Sequence, residues 1–581
     1  MRQRINKRHG LGFLAMLLPL FLLSAEPGYD PTSTSISAAA TSSYIVQGVS
    51  AADAKKLVLQ AGGKVTATLN IIDAVGADLS EKQVAWLRSQ SDQLTIYKDE
   101  MLEVSGSVAE SHYPTHVGAD VLHAQGITGR GVTVAVLDTG LWKSAATEFS
   151  TSGDSRILAQ YDATLPDSAT CRDACGDDDD DGDDDDDNRS NQNHDVDDWN
   201  GHGTHITSII MSSARTEGGR YQGIAPDANV VAVRAFEPDG SGTYLNVIKA
   251  LEWIVENRWR YGIRVLNLSF GASAASHYWD DPVNQAVMAA WKSGIIVVAA
   301  AGNNGPGPMT IGVPGNVPYV ITVGAMTDNF TENDSSDDRL ASFSAAGPTV
   351  EGFVKPDLVA PGGHMLGQMP PYAWLPLEYP DFVQPIGDYF RMSGTSQSAA
   401  VVSGVLALML QVEPWLSPNN AKCRMMASAR PAIRQDGTPA YSVFQQGAGM
   451  VDAIAAINEP TLGCANRNMS VLLDLWRLRH YAGPAGVDAN GTYYLIDQNG
   501  SRMSGENFEW SQATFWSGGA LWEQGLLSNQ GAVWNTGVNW KTSSALNPDS
   551  LLNQGALWPE GALWPEGLSR NASTYVWVDE E

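Results

Sequence analysis

The chain has 581 residues, 43% of them apolar and 17% charged, enough for several domains with buried cores. Its formal net charge is −29, from 36 basic and 65 acidic side chains. That balance excludes a basic nucleic-acid footprint and suits a soluble protein working outside the cell.

Residues 1–25 combine a basic start (Arg2, Arg4, Lys7, Arg8) with the apolar run LGFLAMLLPLFLLSA, which ends in small residues. This is the layout of a secretory signal peptide cut near Ala25. The run is shorter than the ~20 residues a membrane-spanning helix needs. A linker over 26–43 follows, rich in Ser, Thr and Ala. Residues 44–104 then predict a small α+β unit. YIVQGV is a strand, and SAADAKKLVLQAG has helical spacing with Ser50 as its N-cap. KVTATLNIIDAVGADL alternates as strands, SEKQVAWLRSQ is helical, and LTIYKDEMLEV closes as a strand. The order β-α-β-β-α-β is ferredoxin-like.

The main domain, 105–460, alternates short Val- and Ile-rich runs with helical segments. The runs are GVTVAVLD (131–138), NVVAVRAF (229–236), IRVLNLSF (263–270) and GIIVVAAAG (294–302). They suit strands buried on both faces of a mostly parallel sheet. LNVIKALEWIVEN (245–257) and PVNQAVMAAWKS (282–293) supply helices. The result is a doubly wound α/β fold, whose ligands bind beyond the carboxyl ends of its strands.

An acidic insertion, 171–198, interrupts this domain. Asp177, Asp179, Asp181 and Gly182 fall at positions one, three, five and six of a calcium-loop pattern. Position twelve, however, is Asn188 and no helices flank the run. It is read first as a hydrated acidic loop, and second as a looser calcium site using Asp177, Asp179, Asp181 and Asp183. Four cysteines permit two disulfides in three pairings. Cys171 with Cys175 would clip the acidic run, and Cys423 with Cys464 would tie down the end of the main domain. A zinc pair at Cys171 and Cys175 lacks a second ligand pair.

Residues 461–581 differ in kind. Trp510, Trp516, Trp522, Trp534, Trp540, Trp558 and Trp564 share one six-residue register, with glycine recurring three residues before it. The period suggests stacked β-turns or a small solenoid, or else a low-complexity tail ordered by a partner. Exposed, such tryptophans suit a cell surface, a polysaccharide or a partner protein; buried, they are core.

Three element ends carry chemistry. Asp138 ends one strand, His202 lies in NGHGTHITSII, and Ser396 begins the helix SQSAAVVSGVLALML. A serine hydroxyl needs a base to become a nucleophile. Imidazole can take that proton and return it to the leaving group. A buried carboxylate fixes its tautomer. Asn303, ending GIIVVAAAGN, can donate its amide to an oxyanion. His205 is read as a core group.

VAVLDTG, NGHGTHI, NLSFG, AAAGNNG and SGTSQSAAVVSG occur in that order. Together they resemble the signatures of the subtilisin-like serine proteases (subtilases, peptidase S8), over about residues 114–460, in the Asp–His–Ser order of that family. The resemblance implies a secreted serine endopeptidase with Asp138, His202 and Ser396 as triad and Asn303 as oxyanion donor. It implies no required cofactor, leaving calcium at the acidic run as the one candidate. It implies that 44–104 is an inhibitor-I9-like propeptide, which assists folding, inhibits the enzyme and is removed by autoprocessing. Ser269, Phe270 and Gly271 then correspond to an edge that pairs with substrate backbone. With residues 300–304, Gly302 among them, they wall a roomy pocket favouring large apolar side chains. Partners are protein or peptide substrates and the chain's own propeptide. The pattern departs at Gln397, Ser398, Ala400 and Val401, where the family has Met-Ala, proline and His-Val. None of these changes removes a catalytic group.

Overall fold

The computed structural model describes residues 41–90, 94–99, 101–103, 112–165, 196–216, 219–328, 331, 338–384, 388–432, 439–487 and 493–496, with short strands at 502–503, 520–523 and 526–528. The signal peptide, the linker as far as residue 40, the four candidate calcium aspartates, Cys171, Cys175 and most of the tryptophan register lie outside the described residues.

Alternation decides the first unit. Strands β1 (Ser42–Gln47), β2 (Lys64–Leu69), β3 (Ala74–Leu79) and β4 (Thr95–Lys98) form an antiparallel sheet in the order β2-β3-β1-β4. Helices α1 (Ala51–Gln60) and α2 (Glu81–Gln90) complete the ferredoxin-like arrangement. Ser50 caps α1 as expected, its hydroxyl accepting from Asp53 N at 3.1 Å. Successive strand residues point to opposite faces. Val46, Val75, Ala77 and Leu79 therefore pack with Ala54, Val58 and Leu87 of the two helices. Ile45, Ala67, Leu69 and Ala74 join the core of the main domain instead.

The chain after β4 departs from expectation. It does not close as one strand. Thr95–Lys98 stays in the sheet, whereas Met101–Glu103 leaves it and pairs antiparallel with Ser241–Thr243 of the main domain.

The main sheet comprises β5 (Thr133–Asp138), β6 (Ile157–Asp162), β7 (Asn229–Arg234), β8 (Ile263–Leu268), β9 (Ile296–Ala300), β10 (Ile321–Thr327), β11 (Arg339–Leu340) and β12 (Leu358–Pro361). Its order is β11-β10-β9-β8-β5-β7-β6, with β12 beside β10, and only β11 runs antiparallel. Helices α3 (His202–Met211), α4 (Tyr244–Asn257), α5 (Pro282–Lys292) and α6 (Thr395–Val412) cover it, α3 packing on α6 and α4 on α5. Apart from the outer strands β6 and β11, the strands are almost wholly buried, as sheets covered on both faces must be. Helix α6 is long and apolar enough to cross a membrane by composition, yet 89% of that stretch is buried inside the fold. Strand order reverses between β5 and β8. Doubly wound folds place their sites beyond the carboxyl ends of the strands at such a reversal, and Asp138 ends β5 there.

The N-terminal unit rests on α4 and α5. A Cβ at Gly76 of β3 would come within 2.8 Å of the Leu245 side-chain methyl, so the strand packs closely on α4. Asp99 accepts from Leu245 N at 2.9 Å, and Glu252 from Ile71 N at 3.0 Å. The described residues 461–487 stay packed on the main domain. Cys464 is bonded to Cys423, with Cα atoms 5.2 Å apart. Ala520–Glu523, which includes Trp522 of the hexad register, and Leu526–Ser528 form an antiparallel hairpin that pairs with His480–Ala482.

Candidate active site

Asp138 is the last residue of β5 and His202 the first of α3; both are fully buried. The Asp138 Oδ1 to His202 Nδ1 distance is 2.7 Å, and Asp138 Oδ1 also accepts from Thr139 N at 2.8 Å. The carboxylate thereby fixes the proton on Nδ1 and leaves Nε2 as the acceptor nitrogen. His202 Nε2 is buried without a hydrogen-bond partner among the described residues.

A residue not singled out in the sequence positions this pair. Asp198 is completely buried and accepts five hydrogen bonds. Its Oδ1 takes Thr139 Oγ1 at 2.8 Å, Asn200 N at 3.2 Å and Gly201 N at 2.8 Å. Its Oδ2 takes Thr204 N and Thr204 Oγ1, both at 2.7 Å. These donors include orphan N–H groups of the first turn of α3. The carboxylate also sits at the positive end of the helix. Thr139 Oγ1 accepts from Gly203 N at 2.8 Å, closing the link between β5 and α3. Gly203 must be glycine, because an added Cβ would collide with the Gly140 backbone. The signal for Asp198 was its place four residues before His202, masked by the aspartate-rich run around it.

Ser396 lies in the first turn of α6. Its Oγ donates to Ser269 O at 3.0 Å, and its carbonyl accepts from Ser269 Oγ at 2.9 Å. Ser269 Oγ also accepts from Asn267 Nδ2 at 2.8 Å, and Asn267 Oδ1 from Ser403 Oγ at 2.9 Å. Ser269 thus holds the backbone of the serine turn. Asn267 and Ser403, unnoticed in the sequence, lie beneath it. Phe270 is buried against Phe236, with ring centroids 5.0 Å apart. The side chains of both residues are committed to the interior, so their share in any substrate contact is backbone.

Asn303 Oδ1 accepts from Thr395 N at 3.0 Å and from Thr395 Oγ1 at 2.9 Å. Two donors on the oxygen set the rotation of the amide and turn its NH₂ the other way. Gly302 N donates to Thr395 Oγ1 at 3.1 Å, tying the end of the β9 segment to the start of α6. His205 is buried as expected, its Nε2 3.1 Å from Phe390 O. Burial, with the neighbouring His202, pushes it down to about 3, so it is a neutral core group.

The departures around the serine leave α6 intact from Thr395 to Val412. Ser398 Oγ donates to Ala360 O at 3.1 Å. Gln397 is buried, and neither amide atom has a hydrogen-bond partner among the described residues. No group of three or more His, Cys, Asp or Glu among the described residues is arranged to hold a metal.

A buried Asp–His pair at the carboxyl end of a central strand and a serine on the first turn of a core helix match the subtilase arrangement. The subtilase family profile matches residues 129–449. The chain belongs to the subtilase family. It is 34% identical over 369 residues to serine protease AprX of Bacillus subtilis (strain 168), covering 62% of this subtilase and 74% of AprX. It is 27% identical over 412 residues to subtilisin E of the same organism, covering 70% and 87%. Fervidolysin from Fervidobacterium pennivorans, described as a keratinolytic enzyme related to subtilisin, shares the fold. Its TM-score is 0.54 at 20% identity, over 73% of this subtilase and 62% of that chain. The enzyme is a subtilisin-like serine endopeptidase.

Proposed function

We propose that Asp138, His202 and Ser396 form the catalytic triad of a secreted endopeptidase made as an inactive precursor. The observation carrying this reading is the buried 2.7 Å pair between Asp138 and His202, with Nε2 left unpartnered near the serine helix. Rotation of Ser396 Oγ away from Ser269 O brings the hydroxyl to His202 Nε2, which takes its proton as Oγ attacks the scissile carbonyl. The Asn303 NH₂ and the Ser396 N–H stabilise the oxyanion, helped by the positive end of α6. His202 then protonates the leaving amine, and water, deprotonated by the same imidazole, hydrolyses the acyl-enzyme.

Residues 44–104 act as the inhibitor and folding aid. In support, Met101–Glu103 occupies Ser241–Thr243 as an added strand, the way a sheet edge takes an extended peptide. Substrate takes that edge once the N-terminal unit has left. The basic, then apolar, leader at 1–25 directs export. Purified Ser396→Ala chain is expected to lose peptidase activity and to retain its N-terminal unit uncut. Persistent activity in that variant rules the assignment out.

A further inference from the structure

Helix α7 (Val471–Leu475) and the turn after it belong structurally to the main domain. Asp474 is buried. It accepts from Tyr278 Oη at 2.6 Å and Tyr319 Oη at 2.9 Å, and its Oδ1 lies 2.7 Å from His480 Nδ1. His480 stacks on Trp279, with centroids 4.5 Å apart and planes 10° off parallel. His277 covers the opposite face of Trp279 at 4.2 Å and is anchored 3.1 Å from the buried carboxylate of Glu351. Together with the Cys423–Cys464 disulfide, these contacts fix the segment independently of the N-terminal unit.

Helix α7 ends in a Schellman turn: Arg477 N donates to Asp474 O at 2.8 Å and Leu478 N to Leu473 O at 3.0 Å. The residue in the left-handed position of such a turn is usually glycine. Here it is Arg477, at φ 54°. Its side chain reaches the N-terminal unit. Nη2 donates to Gln47 Oε1 at 2.7 Å and Nη1 to Thr95 Oγ1 at 3.4 Å. Gln47 ends β1 and Thr95 opens β4, and the two are direct register partners. Gln47 is itself buried. Its NH₂ donates to Ile72 O at 2.8 Å and to Gln285 Oε1 of α5.

We propose that the turn carrying Arg477 is a second docking surface for the N-terminal unit, so that the C-terminal segment slows release of the inhibitor after cleavage. The proposal rests on the inhibitor reading of residues 44–104. The partner is that unit of the same chain, recognised at the Gln47–Thr95 pair that ends the β1–β4 ladder. The guanidinium bonds there are charge-assisted, stronger than neutral ones. An arginine at a glycine-favoured backbone position has no local benefit to the turn, which leaves its side-chain contacts as the reason for its presence.

Arg477→Gly tests this without endangering the fold, since glycine suits the turn. Full-length parent and variant are allowed to cleave themselves. Departure of the N-terminal fragment is followed by size-exclusion chromatography, and the lag before peptidase activity on a chromogenic peptide is timed. Release in Arg477→Gly is expected to be about tenfold faster, the scale of one charge-assisted bond. Final activity and Tm should be unchanged. Gln47→Ala should also speed release, and Arg477→Gly should add less in that background, where only its bond to Thr95 is left to lose. Release within twofold of the parent, or an equal Arg477→Gly effect with and without Gln47, overturns the docking role. A parent that shows neither cleavage nor lag overturns the underlying inhibitor reading as well.

Discussion

Asp198→Asn is the substitution that most directly probes how the candidate site is built. Asparagine keeps the shape but replaces one acceptor oxygen with an NH₂. Placed at Oδ1, that group would face Asn200 N and Gly201 N; placed at Oδ2, it would face Thr204 N. Either way at least one buried N–H loses its acceptor, at a cost of about 1–3 kcal/mol. Loss of the negative charge at the start of α3 adds ~0.3–2 kcal/mol. A destabilisation of about 3 kcal/mol is therefore expected. It should be measured by urea unfolding in a Ser396→Ala background, which prevents self-digestion, as a lower midpoint at unchanged slope. In the active enzyme kcat should fall while KM changes little, because His202 opens the helix that Asp198 holds and the substrate edges lie on other segments. A stability change below about 0.5 kcal/mol with parental kcat would refute the reasoning, since surface-like tolerance is incompatible with five buried hydrogen bonds.

Asn303→Ala should lower kcat by about 10²–10³ with KM nearly unchanged, a magnitude known from subtilisin's own oxyanion donor and not worked from this geometry; steady-state kinetics on a peptide substrate check it. His205, held near 3 when folded against an unfolded value of about 6.5, binds its proton only on unfolding. Its contribution is therefore intact above about pH 6.5 and declines as pH falls toward 3, by up to ~1.4 kcal/mol per pH unit. In a Ser396→Ala background, His205→Gln should flatten the acid limb of a stability–pH curve by up to about one proton; an unaltered slope would contradict this. The Cys423–Cys464 bond closes a loop of 41 residues in sequence separation, which loop entropy values at about 4 kcal/mol. Cys464→Ser should accordingly lower Tm, and reductant should lower Tm more in the parent than in that variant.

Much of the candidate site is legible along the chain because its parts are local. Asp138 at a strand end, His202 at a helix start and Ser396 before a small-residue helix each sit inside a motif a few residues long. The strands β5, β7, β8 and β9 fall within the Val- and Ile-rich runs, and Ser50 caps α1 where the pattern places it. Order along the chain and the strand-end rule anticipate the Asp138–His202 pair, 2.7 Å apart, and place Ser396 on a helix that packs against α3. Local spacing does not reveal which carboxylate holds the histidine helix, because one aspartate among many has no distinguishing neighbours until the chain folds around it. Ser269 reads as part of a substrate edge, yet its side chain anchors Ser396, 127 residues away. The pairing of Met101–Glu103 with Ser241–Thr243 and the reach of Arg477 to Gln47, across 430 residues, follow from how whole units dock. Periodicity and turn chemistry determine the elements, whose hydrogen bonds close within a few residues. Contacts between distant segments depend on packing of faces that sequence alone leaves unassigned, and only the tertiary structure decides them.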